Sequence, residues 1–265
     1  MSTFSDEHIR YLKKRKKEKR NILITQLSIV ILLVLIWELL AQLNIINTFL
    51  YSSPSNMLKT TINLFKDRTL FNHIYITTYE TILSFGIAFG IGFVVAIILW
   101  WNKFLSKVFE PYLTIINSLP KVALGPLIII WVGASMNSII VMSLMISLII
   151  TCINLYNGFN SVNENYITLL KTFNASKKEI FLKVVLPSNK LNIINAMKIN
   201  MSMNFIGVIM GELLVSKEGL GYLIMYGSQV FNINLVITSI IILAIISTLF
   251  YYLITKLEKK LIKAN

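Results

Sequence analysis

Apolar residues in this chain fall in long unbroken blocks rather than at the alternating or helical spacing of an amphipathic element. Six blocks stand out, at residues 21–40, 74–101, 111–132, 139–154, 191–215 and 233–253. A helix rises 1.5 Å per residue, so about 20 apolar residues cross the ~30 Å of hydrocarbon in a bilayer. The pattern predicts an all-α, polytopic membrane protein with six transmembrane helices. The third block is interrupted at Ser118-Leu119-Pro120 and Gly125-Pro126. A membrane tolerates such breaks where neighbouring helices or a cavity satisfy the freed backbone groups. The first block is longer than the core of a secretory signal and keeps Trp37 and Glu38 near its end, so it reads as a retained span. Between the first two blocks, Leu58, Ile62 and Phe65 fall at i, i+4 and i+7 and predict a short helix on the outer surface. The expected organisation is a basic arm (1–20), a first transmembrane helix (21–42), a linker (43–73), a transmembrane core (74–255) with a polar loop at 157–190, and a basic tail (256–265).

Composition agrees with membrane residence. Of 265 residues, 55% are hydrophobic and 14% charged, against about 45–50% and about 25% in soluble domains. The formal charge of +13 alone would suggest nucleic acid. Its placement changes that reading. Under six spans, nineteen Lys and Arg fall on one side. They lie in the N-terminal arm (Arg10 to Arg20), the loop with Lys103 and Lys107, the polar loop (Lys171 to Lys190) and the tail (Lys256 to Lys263). The other side has four, Lys59, Lys66, Arg68 and Lys217. The positive-inside rule then puts both termini in the cytoplasm and explains the charge as topology and contact with anionic lipid, with no nucleic-acid partner. A lone Cys152 and the isolated His8 and His73 offer no disulfide and no metal site.

The polar loop carries local signals of its own. Residues 163–173 and 177–186 read as two short helices joined at Asn174-Ala175-Ser176. Asn174 suits the left-handed residue that ends a helix, since Asn is among the few non-glycine residues that visit that conformation. Ser176 followed by Glu179 is a capping box, with the hydroxyl taking the N3 amide while the carboxylate reaches back. Pro187 is expected to end the second helix. Ile180, Phe181, Val184 and Val185 share one face, which predicts that the pair docks onto the protein.

The stretch TLLKTFNAS from Thr168 to Ser176, followed by IFLKVVLP from Ile180 to Pro187, resembles the EAA loop of binding-protein-dependent ABC importer permeases of type I, with the MetI-like fold. Other landmarks are similar to the nitrate, sulfonate and taurine branch of that family. They are Ser53-Pro54, Glu110-Pro111, Ser118 to Pro120 with Ala123 and Pro126, Trp131 to Gly133, Asn154 with Gly158, Gly211-Glu212, and Glu218 to Gly221. The departures are Thr168-Leu169-Leu170 in place of Glu-Ala-Ala, Asn174 in place of a family glycine, and Glu80 where this branch commonly carries arginine.

The resemblance implies a permease subunit of an ATP-driven importer in the bacterial plasma membrane, working with a cytoplasmic ABC ATPase dimer, a second permease copy and an extracytoplasmic solute-binding protein. It implies no cofactor on this chain and no catalytic residue, ATP being bound by the partner. The chain itself contains no GxxxxGK[ST] loop. ATPase coupling would fall to Thr172, Asn174, Ala175, Ser176, Lys178, Glu179, Ile180, Phe181 and Pro187. Pathway or gate candidates are Pro120, Lys121, Gly207, Gly211, Glu212, Gly219 and Gly221. Gly207 and Gly211, like Gly86 and Gly90, form small-xxx-small faces that allow close helix approach, and packing within the subunit is the favoured role for the second pair. Glu80, Lys121, Lys198 and Glu212 are charges in or near apolar runs, costly enough at mid-bilayer that each should face the interior, a partner or the interface. Lys198 could snorkel, and Glu212 could be interfacial, a gate or a contact for the binding protein. Trp37, Trp100, Trp101 and Trp131 read as interfacial anchors. The alternatives are a self-contained secondary carrier or channel, and a membrane scaffold whose loop recruits a soluble partner. A carrier commonly shows two related halves with matching broken helices, whereas this sequence shows one broken span. The transported solute is not legible: nitrate, sulfonates, taurine and thiamine precursors all fit.

Overall fold

The computed structural model describes residues 6–263; the first five residues of the basic arm and the last two of the tail lie outside the described residues. The described chain is helical, with no strand. Helix α1 (Asp6–Gln42) is followed by the short α2 (Thr48–Tyr51) and α3 (Pro54–Lys66), then by α4 (Thr69–Trp101) and α5 (Lys103–Ser118). A 3-10 turn (Lys121–Leu124) leads into α6 (Gly125–Val132), α7 (Met136–Asn160) and α8 (Glu164–Thr172). After α9 (Lys177–Ile180), a π-helical turn (Phe181–Val185) and α10 (Leu186–Ser188) come α11 (Lys190–Val215), α12 (Leu220–Gln229) and α13 (Ile233–Lys263). Five of these, α1, α4, α7, α11 and α13, are long and apolar enough to cross a membrane.

The sixth expected span differs in form. Helix α5 and the segment Lys121–Val132 meet at 81°. Leu119 is extended (φ −66°, ψ 143°), the conformation that a following proline imposes on its predecessor. The second suspected break does not interrupt anything. Gly125-Pro126 opens α6, where proline's fixed φ and missing N–H suit a first turn. From Asp6 the basic arm runs into the first span as one helix, because Lys, Arg and Glu are good helix formers and nothing at residue 20 stops them.

Helices α4, α7 and α11 form the core. On α11, a Cβ at Gly207 would lie 2.5 Å from Ser143 Cα, and one at Gly211 would lie 2.9 Å from Ile139 Cα. Glycine at these two places is what lets α11 touch the α7 backbone, so both residues serve helix packing within the subunit. Gly86 and Gly90 contradict the packing expectation: a Cβ at either meets nothing within 4 Å, while Gly92, two residues past Gly90 and on another face, packs on Thr151. Polar groups tie the same three helices. Ser143 donates to Asn204 Oδ1, Asn204 Nδ2 donates to Thr81 O at 2.8 Å, and Asn200 donates to Thr151. With lipid unable to hydrogen-bond, such pairs find their partners between helices. Helix α13 closes one flank, with Leu243, Ile246, Phe250 and Ile254 against Phe205, Leu220 and Leu223. Lys198 does not snorkel alone; its Nζ lies 2.6 Å from Glu258 on α13. Helix α1 keeps its apolar side chains on the outside, and Glu38 at its end accepts a bond from Ser55 N at 3.0 Å, the first turn of α3.

Candidate functional site

The polar segment between α7 and α11 is an ordered element built from local signals. Asn163 caps α8 by accepting from Asn165 N at 2.9 Å. Asn174 ends that helix with φ 56°. The N–H of Asn174 donates to Lys171 O at 2.9 Å, and that of Ala175 to Leu170 O at 3.0 Å, the paired bonds of a Schellman end. Ser176 then caps α9. Its Oγ accepts from Glu179 N at 3.3 Å, while Glu179 Oε2 accepts from Ser176 N at 2.9 Å. The Ser176 main-chain N–H, then its hydroxyl, then Lys183 hold the Glu179 carboxyl below its ordinary value.

Pro187 does not end the second helix, contrary to expectation. The chain remains helical through Ser188, preceded by the π turn in which Leu186 N bonds Phe181 O. A wider turn relieves the clash of a proline ring with the carbonyl four residues back. The real joint is the buried Asn189, whose Nδ2 donates to Val185 O at 2.8 Å and whose Oδ1 accepts from Asn192 at 2.9 Å. Gly158 makes room for it: a Cβ there would be 3.1 Å from Asn189 Oδ1.

Docking rests on Phe181. Its ring lies 5.0 Å from Trp100 and 5.5 Å from Phe159, joining the ends of α4 and α7 to the second short helix. Ile180, Phe181 and Val185 are buried with Ala96, Leu155 and Ala196. Lys177 donates to Trp101 O, with its Nζ 5.7 Å from the centre of the Trp100 ring. Trp100 is therefore a packing partner of this element as well as a span-end residue. Of the coupling candidates, Ile180 and Phe181 face inward and Ala175 is half-buried, while Thr172, Asn174, Ser176, Lys178 and Pro187 are on the surface. Phe173 at the tip, 74% exposed, was not among the sequence candidates, and neither was Leu169 at 55%. An apolar residue beside a helix-ending Asn was the available signal.

The remaining candidates separate into two groups. Lys121 donates to Asn117 Oδ1 at 3.1 Å, one turn back across the Pro120 bend, and both Pro120 and Lys121 keep surface exposure. Glu212, Gly219 and Gly221 come together in the interior. Glu212 is 1% exposed, so it is neither interfacial nor open to a docking protein. It accepts from Thr77 Oγ1 and from Gly221 N, each at 2.6 Å, and Leu220 N donates to Thr77 Oγ1 at 2.8 Å. Gly219 adopts φ 102°, and a Cβ on it would sit 2.5 Å from the Glu212 carboxylate oxygens. The Gly-Leu-Gly turn is thus wrapped around a carboxylate and starts α12, a helix the apolar blocks did not predict.

Residues 88–263 match the family described as binding-protein-dependent transport system inner membrane component. A probable ABC transporter permease protein of Haemophilus influenzae is 31% identical over 87% of this chain and 93% of its own length. The formylaminopyrimidine transport permease protein ThiX of Halalkalibacterium halodurans is 29% identical over 88% of this chain and 92% of its own. Among solved structures, an inward-facing MetNI methionine ABC transporter chain shares the fold, with TM-score 0.66 and 19% identity over 74% of this chain and 97% of that one.

Proposed function

Because the chain belongs to the family of binding-protein-dependent inner membrane transport components, and is by that membership an ABC permease subunit rather than an enzyme, we propose that it forms, with a second copy of itself, the translocation pathway of an ATP-driven importer. An extracytoplasmic binding protein delivers a small solute of the sulfonate, taurine or thiamine-precursor kind. The segment from Glu164 to Ser188 is the element on which a cytoplasmic ATPase dimer acts. The charge bias supports a cytoplasmic side for this segment and both termini, and the membrane is the bacterial plasma membrane in this reading.

One observation carries the reading: an element capped at both ends and exposed at its tip is fastened by Phe181 to the ends of the long helices. A partner that moves Phe173, Asn174 and Lys178 displaces a rigid body, and Phe181 passes that displacement to α4 and α7. A hinged loop would absorb it. Rigid-body rocking of spans against one another is a common way for such input to become a change of access.

Co-purification tests the proposal. Phe173→Asp and Lys178→Glu are expected to lose the ATPase during affinity purification of the complex while the permease still inserts into the membrane. Retention of the ATPase by both variants would overturn the assignment, and so would a periplasmic location for a reporter fused at Lys177.

A further inference from the structure

Where the ends of α4 and α7 meet the capped element, the chain surrounds a cavity of 520 Å³. Its back wall is apolar, formed in part by the buried Leu99, Phe159 and Ile180. Three cations from three elements line it as well: Lys103 on α5, Lys171 on α8 and Lys177 on α9. Glu164 is the one acidic residue in the lining, so three cations against one carboxylate leave a surplus of two positive charges. Lys103 and Lys171 are exposed, and neither pairs with a carboxylate among the described residues. Lys177 gives one N–H to Trp101 O, which fixes the ammonium beside the Trp100 and Trp101 rings and leaves two N–H groups to donate. Asn160 and Thr168 add a carboxamide and a hydroxyl to the lining.

We propose that this cavity binds a phosphate ester, with its phosphate oxygens held by Lys103, Lys171 and Lys177 and its carbon part against the apolar wall. Ammonium groups gathered around one small space repel one another. A phosphate ester brings one or two negative charges and several acceptor oxygens, which offsets the surplus and gives each lysine a partner. A carboxylate brings a single charge and two oxygens and leaves a cation unmatched. The volume lies within the range of small-ligand sites, about 300–1,000 Å³. Two sources carry this chemistry. One is an anionic phospholipid, because Trp100 and Trp101 end α4 beside the cavity and basic pockets at the ends of spans take lipid headgroups. The other is a soluble phosphate ester. Either ties Lys103, which follows α4, to Lys171 and Lys177 of the capped element. The inference goes beyond the importer reading and stands on the cavity itself.

The test is equilibrium binding to the full-length permease, purified in detergent with whatever ATPase accompanies it. Radiolabelled dioleoylphosphatidylglycerol and glycerol 3-phosphate are the probes. Wild-type protein is expected to bind at least one of them saturably. The double variant Lys103→Gln, Lys171→Gln is expected to bind it at least about tenfold more weakly, the loss of charge-assisted hydrogen bonds. Thr168→Trp, which fills the cavity from an exposed wall and keeps every charge, is expected to weaken binding likewise. Lys256→Gln, Lys259→Gln removes the same charge from the tail and is expected to bind as wild type does. Lysine-dependent binding of the lipid alone supports the site and assigns it to the membrane; such binding of glycerol 3-phosphate supports it and assigns it to a soluble ester. Saturable binding of neither probe would overturn the site. So would undiminished binding by the Lys103, Lys171 variant or by Thr168→Trp, and so would an equal loss in the tail variant, which would reduce the effect to overall charge.

Discussion

Lys198 on α11 and Glu258 on α13 form an ion pair at 2.6 Å with only 15% and 20% of their side chains exposed, and Lys198 Nζ also lies 5.6 Å from the centre of the Tyr251 ring. The pair joins the core to the helix that closes its flank. Breaking a largely buried pair strands a charge, so Glu258→Gln and Lys198→Met are each expected to cost about 2 kcal/mol. The double variant Lys198→Met, Glu258→Gln should cost less than the two single losses added together, since no charge is stranded. Thermal melts of the four proteins in detergent check this. Additive losses would mean that the two residues do not interact.

Asn174 holds φ 56° at the end of α8. Asn174→Gly is expected to leave ATPase coupling intact. Asn174→Val should cost about 1–2 kcal/mol locally, because a β-branched side chain is poorly accommodated at positive φ. Solute uptake by reconstituted complexes is the measurement, and uptake by the Val variant equal to wild type would count against the turn.

Glu179 fixes the start of α9, and its carboxyl lies below the ordinary value through the Ser176 N–H, the Ser176 hydroxyl and Lys183. A depressed carboxylate contributes stability above its unfolded value and loses it as pH falls through the folded one. Amide protection of residues 177–180, corrected for intrinsic exchange rates, should therefore be constant near neutrality and decline once pH drops below the ordinary carboxylate range. In Glu179→Gln that acid-dependent decline should vanish.

Gly207 and Gly86 provide a matched contrast. With a Cβ at position 207 falling 2.5 Å from Ser143 Cα, Gly207→Ala forces α11 off α7 and should cost about 2–3 kcal/mol. Gly86→Ala adds a methyl group to open space and should stay within about 0.5 kcal/mol of wild type. Melting temperatures in the same detergent decide between them.

What could be read from the residues was local. The long apolar blocks announced the spans, and the Ser176–Glu179 box and the left-handed Asn174 were legible because each involves atoms within a few residues. The proline at 187 misled for the opposite reason: whether it stops a helix depends on the turn before it, and here that turn is π-helical. The same limit hid the hydrogen bond of Thr77 to Glu212, which lie on different helices. It also concealed that Gly86 and Gly90 face away from the subunit interior while Gly207 and Gly211 face into it. A spacing of four reports that two glycines share a face, and says nothing of what that face meets.

The π turn at Phe181–Val185 acts as a one-residue splice between α9 and α10, ahead of the joint at Asn189. Upstream of it the aromatic seat sets the angular phase; downstream, Asn189 and Gly158 set another. Successive residues of a helix are about 100° apart. Excising a single residue from the splice would spin everything beyond Leu186 by that angle, lifting Asn189 away from Gly158 and turning the small face of α11 away from α7. The number of residues between the two anchors is therefore far less free to vary than their chemistry.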